Sequence, residues 1–180
     1  MTVLRGRAVT LRAFREDEID LALERFPFPD VGGDAVRARR RDRLAASGTR
    51  TDSEILFAIE GDGGLVGEIQ ARSPEGWVPH GVYEIGIELY DLADRGRGLG
   101  TDAVATLTSH LFGEEGAIRV QASTDLNNVA MRRTLERLGF GFEGVLRGFM
   151  PTGDAALDYA MYGITREDWE NVRNGWTRTS

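Results

Sequence analysis

The stretch that decides the fold reads Tyr83-Glu-Ile-Gly-Ile-Glu-Leu-Tyr-Asp-Leu-Ala-Asp-Arg-Gly-Arg-Gly-Leu-Gly-Thr-Asp-Ala-Val104. An apolar-rich strand leads into a glycine-rich turn, and the turn leads directly into a helix that begins near Leu99. Glycines at positions 96, 98 and 100 lack the side chains that would keep backbone N–H groups away from phosphate oxygens. The free N–H groups and the positive dipole end of the helix lie at the same place. This layout predicts a site for a pyrophosphate-containing ligand.

Two of the three known glycine-rich patterns do not fit the turn. A P-loop requires a Gly-Lys-Ser/Thr ending, and the chain contains no lysine. A dinucleotide-binding turn requires a third glycine where Thr101 stands and an acidic residue about 20 positions further on, where Arg119 and Gln121 lie. The pattern that remains is Arg95-x-x-Gly98-x-Gly100.

That pattern resembles the acyl-coenzyme-A signature of the GNAT N-acetyltransferase superfamily. The segment Asn127-Asn-Val-Ala-Met-Arg-Arg-Thr-Leu-Glu-Arg-Leu-Gly-Phe140 resembles the helix that follows the fifth strand in the same enzymes. Residues 9–18 and 162–169 are similar to the opening and the ending of the Rim-type branch, which includes acetylases of ribosomal-protein N-termini. The resemblance therefore spans nearly the whole chain.

The periodicity of apolar residues predicts helices and strands in a mixed order. We expect strands at 8–14, 54–60, 65–71, 83–90, 117–122, 142–149 and 155–164, and helices at 16–25, 34–46, 99–112 and 128–138. Asp34 is expected to cap the second helix. With one βαβ crossover, these elements predict a mixed α/β (α+β) fold, and the resemblance implies the GNAT fold: a single, mostly antiparallel central sheet with helices on both faces. We expect one GNAT N-acetyltransferase domain over residues 1–180.

The composition of the chain limits the classes of function and partner that we expect. A net charge of −7 argues against a nucleic-acid partner and suits a cationic acceptor. The chain has no cysteine, which excludes disulfides, thiolate metal sites and a cysteine acyl-enzyme. No apolar window is long enough to cross a bilayer, and we expect a cytoplasmic protein with no membrane partner. The arginine-rich run at 37–43 is interpreted as a solvated helix face.

The resemblance implies acetyl-CoA as the acyl donor and no metal. The pantetheine arm is expected to hydrogen-bond the edge of a splayed central strand at residues 88–90. The pyrophosphate is expected at the N–H groups of residues 95–101, with Arg95 or Arg97 adding charge-assisted hydrogen bonds. The expected donor-binding residues are Leu89, Tyr90, Arg95, Gly96, Arg97, Gly98, Gly100, Thr101, Asn128 and Arg133.

Acetyl transfer to an amine requires a neutral nucleophile, so a base must remove a proton directly or through water. Glu84 is the first candidate, because the resemblance places a basic glutamate eleven residues before Arg95. Strand alternation puts Glu84, Gly86 and Glu88 on one face, which makes Glu88 a second catalytic candidate. The alternative is that both carboxylates serve in salt bridges. His80 is a further candidate base.

The resemblance leaves the general acid unassigned. Many GNAT enzymes carry a tyrosine in the middle of the second motif's helix, whereas residues 131–135 here contain none. The thiolate can leave unprotonated, and Asn128 is a catalytic candidate that positions the acyl group or a water, or caps the helix. The candidates for lining the acceptor pocket are Phe26, Phe28, Trp77, Phe149 and Tyr162, although a place in the core is expected for any one of them. Phe28 and Trp77, in proline-bounded loops, are favoured for the pocket, together with His80.

The sequence thus predicts an enzyme that transfers an acetyl group from acetyl-CoA to a primary amine by direct attack. The acceptor is a protein N-terminal α-amine or a small-molecule amine such as an antibiotic. The sequence does not decide between acetyl and a larger acyl group such as succinyl. It also does not decide between a monomer and a homodimer. The alternative function is a non-catalytic acyl-CoA-binding regulatory module.

Overall fold

The computed structural model describes residues 1–25, 33–73 and 79–176, which form one sheet and the helices that cover it. Within these residues the strands are β1 (Leu4–Arg5), β2 (Thr10–Arg12), β3 (Glu54–Gly61), β4 (Gly64–Arg72), β5 (Val82–Leu89), β6 (Arg119–Asp125), β7 (Gly141–Thr152) and β8 (Ala155–Thr165). The helices are α1 (Glu16–Glu24), α2 (Gly33–Ala45), α3 (Leu99–Gly113), α4 (Val129–Arg137) and α5 (Arg166–Trp176), and a short 3-10 turn covers Leu92–Asp94.

The eight described strands lie in the order β1-β2-β3-β4-β5-β6-β8-β7. Every neighbouring pair is antiparallel except β5 and β6, which are parallel and are joined through α3. The mixed, mostly antiparallel sheet with one crossover is confirmed. Residues 55–59 of β3 are five consecutive buried apolar residues, so this strand packs against helices on both of its faces.

The parallel pair is short, and this creates an opening in the sheet. In the described residues β5 pairs with β6 only from Val82 to Glu84, against Arg119 to Gln121. Both strands then continue, to Leu89 and to Asp125, without pairing with each other. We call this opening the splay. It leaves one backbone edge of β5 free in the middle of the sheet.

Helices cover the two faces of the sheet unequally. On one face, α3 buries Val104, Leu107 and Leu111 in the main core, to which α4 and α5 add Leu135 and Trp169. On the other face, α1 and α2 pack through Leu23 and Leu44 onto Leu56 and Ala58 of β3. We refer to these as the α3/α4 face and the α1/α2 face.

Three features differ from the expectation. Strand β1 and helix α5 were not predicted; α5 packs onto α3 by stacking Trp169 on Phe112, with ring centroids 5.1 Å apart. Helix α2 begins at Gly33, so Asp34 lies in its first turn and does not cap it.

None of the helices in the described part of the chain is long and apolar enough to span a membrane.

Candidate functional site

The glycine turn, residues 95–100, has the geometry of an anion cradle. Gly96 and Gly98 adopt φ values of 76° and 83°, which a residue with a Cβ reaches only with strain. Gly98 starts α3, and its carbonyl accepts a hydrogen bond from the N–H of Asp102 at 3.0 Å. Among the described residues no side chain caps this helix end. The first N–H groups of α3 are therefore available to a ligand.

Gly100 differs from Gly98 in what a side chain at that position would contact. A Cβ at this position would lie 3.6 Å from Leu89 and 3.8 Å from Ile87, which is ordinary contact distance. Packing therefore leaves room for a Cβ at Gly100, and the start of α3 lies within contact distance of the end of β5. This contact fixes the free N–H groups of α3 beside the part of β5 that does not pair with β6, which we call the open arm.

Arginines surround the turn. The Arg95 guanidinium lies 3.5 Å from the Glu88 carboxylate and 3.5 Å from the Leu89 carbonyl oxygen, and Arg97 pairs with Asp94 at 2.9 Å. Arg97 also lines an open groove of about 870 Å³ between α3, α4 and α5, together with Arg7 and Arg137. The groove begins where α3 begins and carries three guanidinium groups, so it suits phosphate groups.

The open arm of β5 is held in place from behind by β4. Gly67 of β4 lies opposite Leu89, and a Cβ at Gly67 would overlap the carbonyl oxygen of Glu88. Tyr90 donates a hydrogen bond from its hydroxyl to Glu68 at 2.8 Å. Residues 88–90 are therefore fixed on their β4 side while their other edge faces the splay.

The two candidate carboxylates have different surroundings. Glu84 lies at the closed end of the splay, opposite Gln121, and pairs with Arg72 at 2.9 Å. Glu88 lies four residues further along the open arm and is half-buried. Burial raises the pKa of Glu88, the charge of Arg95 lowers it, and the neighbouring charge of Glu68 raises it again.

Glu68 links this site to α2. It lies directly opposite Glu88 across β4 and β5, and it pairs with the buried Arg40 at 2.7 Å. Arg43 likewise turns to the sheet and pairs with Glu54 at 2.6 Å. The interpretation of residues 37–43 as a solvated face is therefore wrong for these two arginines. The signal that was missed is the set of polar positions on β3 and β4 that face α2.

The face of β5 at Gly86, between Glu84 and Glu88, is partly covered by a neighbouring side chain. A Cβ at Gly86 would lie 3.2 Å from the amide nitrogen of Gln70. Gln70 in turn accepts a hydrogen bond from Arg43 at 2.7 Å. Gln70 therefore takes up part of the space between the two carboxylates.

Helix α4 borders the splay on the other face. Asn128 caps it by accepting a hydrogen bond from the N–H of Met131 at 3.1 Å, and Arg133 is exposed on its surface. Tyr162 is fully buried, as expected for a core residue. Its hydroxyl donates to Glu136 at 2.8 Å and accepts from Arg132 at 3.1 Å, so it is not free to act as an acid.

The remaining predicted residues lie elsewhere. His80 is exposed just before β5, at the end of that strand opposite the glycine turn. Phe28 and Trp77 lie outside the described residues, as does Phe26. Phe149 is 46% exposed, so its assignment to the core is wrong. The described residues contain no group of three or more metal-binding side chains.

Together these features surround the splay. A strand edge, helix N–H groups and arginines lie on one side, and a half-buried carboxylate lies on the α1/α2 face of the same strand. Such a site can hold a long phosphorylated ligand against β5 and present its end to a group that arrives from the α1/α2 face.

A family model described as an acetyltransferase (GNAT) domain matches residues 8–141. A putative acetyltransferase structure from T. thermophilus shares 26% identity, with 98% of this chain and 96% of that chain covered and a TM-score of 0.75. Mycobacterium smegmatis RimJ, solved with a CoA disulfide, shares 22% identity over 96% and 92% of the chains, with a TM-score of 0.71.

RimL, a ribosomal L7/L12 alpha-N-protein acetyltransferase solved with coenzyme A, shares 14% identity. The alignment covers 91% of this chain and 97% of RimL, with a TM-score of 0.73. The comparison with curated proteins gives no match.

Proposed function

Because the chain belongs to the GNAT acetyltransferase family, we propose that it transfers an acetyl group from acetyl-CoA to a primary amine by direct attack. One observation carries the proposal. The uncapped start of α3, with Gly96 and Gly98 in left-handed conformations, lies beside the free edge of β5. A pyrophosphate and a peptide-like arm on the same ligand can then be bound by adjacent backbone groups.

The chain's residues fit acetyl-CoA along its whole length. The N–H groups of residues 98–101 would bind the pyrophosphate, with Arg95 and Arg97 adding charge-assisted hydrogen bonds. The edge of β5 at Leu89 and Tyr90 would bind the pantetheine arm. Thr101 and Arg137 line the groove that would receive the nucleotide end. Asn128, at the start of α4, and the exposed Arg133 on the same helix are assigned to the donor site as well.

Acetyl-CoA supplies a thioester that an amine can attack. We assign Glu88 as the base that takes the amine proton, directly or through a water, with Glu84 as the second candidate. Glu88 is favoured because its carboxylate is half-buried on the open arm and its raised pKa strengthens it as a base. Glu84 is engaged by Arg72 at the closed end of the splay.

Attack by the amine nitrogen forms the C–N bond and breaks the thioester C–S bond, whose electron pair leaves on sulfur. A cationic amine gives one proton to Glu88 before the attack, and Glu88 passes it to solvent. The nitrogen loses a second proton to Glu88 as the C–S bond breaks, and this proton also passes to solvent. The thiolate is released unprotonated and takes up a proton from solvent, since residues 131–135 of α4 contain no tyrosine that could serve as the acid.

The similarity to RimJ and RimL favours a protein N-terminal α-amine as the acceptor class, since RimL is named for that reaction on a ribosomal protein. A small-molecule amine is the second candidate. The acidic character of the chain, with a net charge of −7, favours either kind of cationic acceptor over an acidic one.

The test is acetyl-CoA-dependent thiol release with peptides, aminoglycosides, polyamines and simple alkylamines, alongside calorimetric acetyl-CoA binding on the same sample. We expect binding together with turnover of at least one amine class. Turnover of succinyl-CoA in preference to acetyl-CoA would overturn the assignment of the acyl group.

Tight binding of acetyl-CoA without turnover of any amine would favour a non-catalytic acyl-CoA-binding module. Absence of binding would contradict the donor site, and with it the whole proposal.

A further inference from the structure

The pairing of β7 with β8 contains an irregularity. The register of the two strands shifts between Leu146 and Met150. The carboxylate of Asp158 accepts a hydrogen bond from the N–H of Gly148 at 2.8 Å, and Gly148 adopts a φ of 62°. A bulge fixed by a side chain and a left-handed glycine redirects the next residue along the strand.

The residue that this bulge redirects is Phe149. Its ring lies against Tyr159 of β8, with centroids 5.2 Å apart and planes tilted by 45°. Phe149 is 46% exposed and Tyr159 is half-buried. We call these two rings the aromatic pair. Burial and the charge of Asp125 raise the pKa of Tyr159, so its phenol stays neutral.

The aromatic pair lies at the open end of the splay, across from Glu88. Asp125 of β6 is directly opposite Tyr159 on β8. The last paired residues of the two arms are Glu84 and Gln121, and Glu88 and Asp125 each lie four positions beyond them. Strand alternation puts Glu88 and Tyr159 on the same face.

This part of the sheet is not covered by a helix in the described residues. The apolar cluster under α1 and α2 contains no described residue of β6, β7 or β8. The aromatic pair is therefore open to a ligand that reaches Glu88 from the α1/α2 face. The carboxylates of Glu88 and Asp125 flank the approach, which suits a group that arrives as a cation.

We infer that the acceptor is a primary amine that carries an aromatic ring a few bonds from its nitrogen, and that Phe149 and Tyr159 bind this ring while the nitrogen lies at Glu88. This inference rests on the proposed function and names its substrate class. An exposed aromatic pair favours a ring over an alkyl chain of equal size, because ring edges and faces attract one another beyond area burial.

The test compares two amines of similar size, 2-phenylethylamine and hexylamine, and two tripeptides, Phe-Ala-Gly and Leu-Ala-Gly. We expect kcat/KM to be about tenfold higher for the aromatic member of each pair. Phe149→Ala should remove this preference by raising KM for the aromatic acceptor. Phe149→Tyr, which keeps the ring, should restore it.

Phe142→Ala is the matched control, because Phe142 is 53% exposed on the same strand but contacts Tyr162 on the α3/α4 face. It should leave the preference unchanged. Equal kcat/KM values within each pair, or equal effects of the two alanine variants, would overturn the inference while the acetyltransferase proposal stands.

Failure to acetylate any amine despite acetyl-CoA binding would instead overturn the proposed function, and this inference with it. The molecular mass in solution provides a further check. If Phe149→Ala converts a dimer into a monomer, a second copy of the chain covers the aromatic pair, and the inference is overturned.

Discussion

Glu88 combines a burial cost with a catalytic use. A carboxylate with a pKa raised by burial is a stronger base than an exposed one, but its ionised form destabilises the folded protein. Because the folded state then binds a proton more tightly than the unfolded chain, this residue lowers stability as the pH rises through its raised pKa. Removing the charge of this carboxylate should therefore lower the activity and raise the stability of the folded protein.

We predict that Glu88→Gln lowers kcat by about 10²- to 10³-fold at pH 7, as expected for a lost general base, and slightly raises the melting temperature. In the parent protein, kcat/KM should rise with pH through a limb above 4.5, the ordinary value for a glutamate. Steady-state rates across pH and thermal unfolding of both proteins check this. Acetyl-CoA binding should be unchanged.

Glu84→Gln is the companion variant. Loss of the Arg72 ion pair at this part-exposed site should cost little stability. If Glu84→Gln abolishes turnover and Glu88→Gln does not, the roles of the two carboxylates are reversed.

The two glycines of the Arg95-x-x-Gly98-x-Gly100 pattern should also respond differently. Gly98→Ala forces a Cβ into a left-handed conformation, which costs about 1–2 kcal/mol and displaces the donors at the start of α3. We predict at least a tenfold rise in the Kd of acetyl-CoA, measured by calorimetry. Gly100→Ala meets only ordinary contacts with Leu89 and Ile87 and should fold normally with a smaller change in Kd.

At the scale of elements, helix α2 is attached to the sheet by a buried ion pair. Arg40 and Glu68 have side chains that are 8% and 12% exposed. Removing one member of such a pair leaves an uncompensated buried charge, which is more costly than removing both. The same Glu68 holds Tyr90, so the attachment of α2 also affects the open arm of β5.

We predict that Arg40→Met lowers the free energy of unfolding by about 3 kcal/mol, measured by urea denaturation. Arg41→Met is the control, because Arg41 pairs with Asp20 at the surface and its loss should cost less than about 1 kcal/mol. The double variant Arg40→Met/Glu68→Leu should recover part of the loss. A double variant less stable than Arg40→Met alone would contradict this account.

The elements with strong local patterns were predictable, and those set by distant contacts were not. Strands β3 to β6 and helices α3 and α4 follow from apolar periodicity and from the glycine turn. Strand β1 has only two residues, Leu4 and Arg5, and exists because Leu11 lies opposite Leu4. The position of β8 between β6 and β7 depends on burial of Ala160, Tyr162 and Ile164, which a strand pattern alone does not order.

The candidate site divides in the same way. The glycine turn could be recognised because phosphate binding constrains residue type at fixed spacing. The partners of the carboxylates in the site could not be recognised from the sequence, because Arg40 and Arg72 reach Glu68 and Glu84 through packing of separate elements. Phe149 was misassigned because its exposure depends on a bulge that Asp158 and Gly148 form across the hairpin.

At the scale of the whole molecule, a donor bound in the splay should stabilise the folded protein and protect the backbone around the site. Acetyl-CoA at a hundred times its Kd should stabilise the protein by about 2.7 kcal/mol, through binding to the folded state alone. We predict that amide hydrogen exchange slows at residues 88–90 and 95–101, as measured by mass spectrometry. The turn at 61–64 should not change, and Gly98→Ala should weaken the protection. Slowing confined to other regions would contradict the assigned site.

The short junction of β5 and β6 also has a mechanical consequence. Among the described strands, three parallel residue pairs connect them, whereas six antiparallel pairs join β4 to β5 and seven join β6 to β8. Under a pulling force applied to β4 and β8, rupture should begin at the junction of β5 and β6, since it contains fewer backbone hydrogen bonds than the junctions on either side of it. A ligand lying in the splay adds bonds at this junction, so the force needed to separate β5 from β6 should report occupancy of the site.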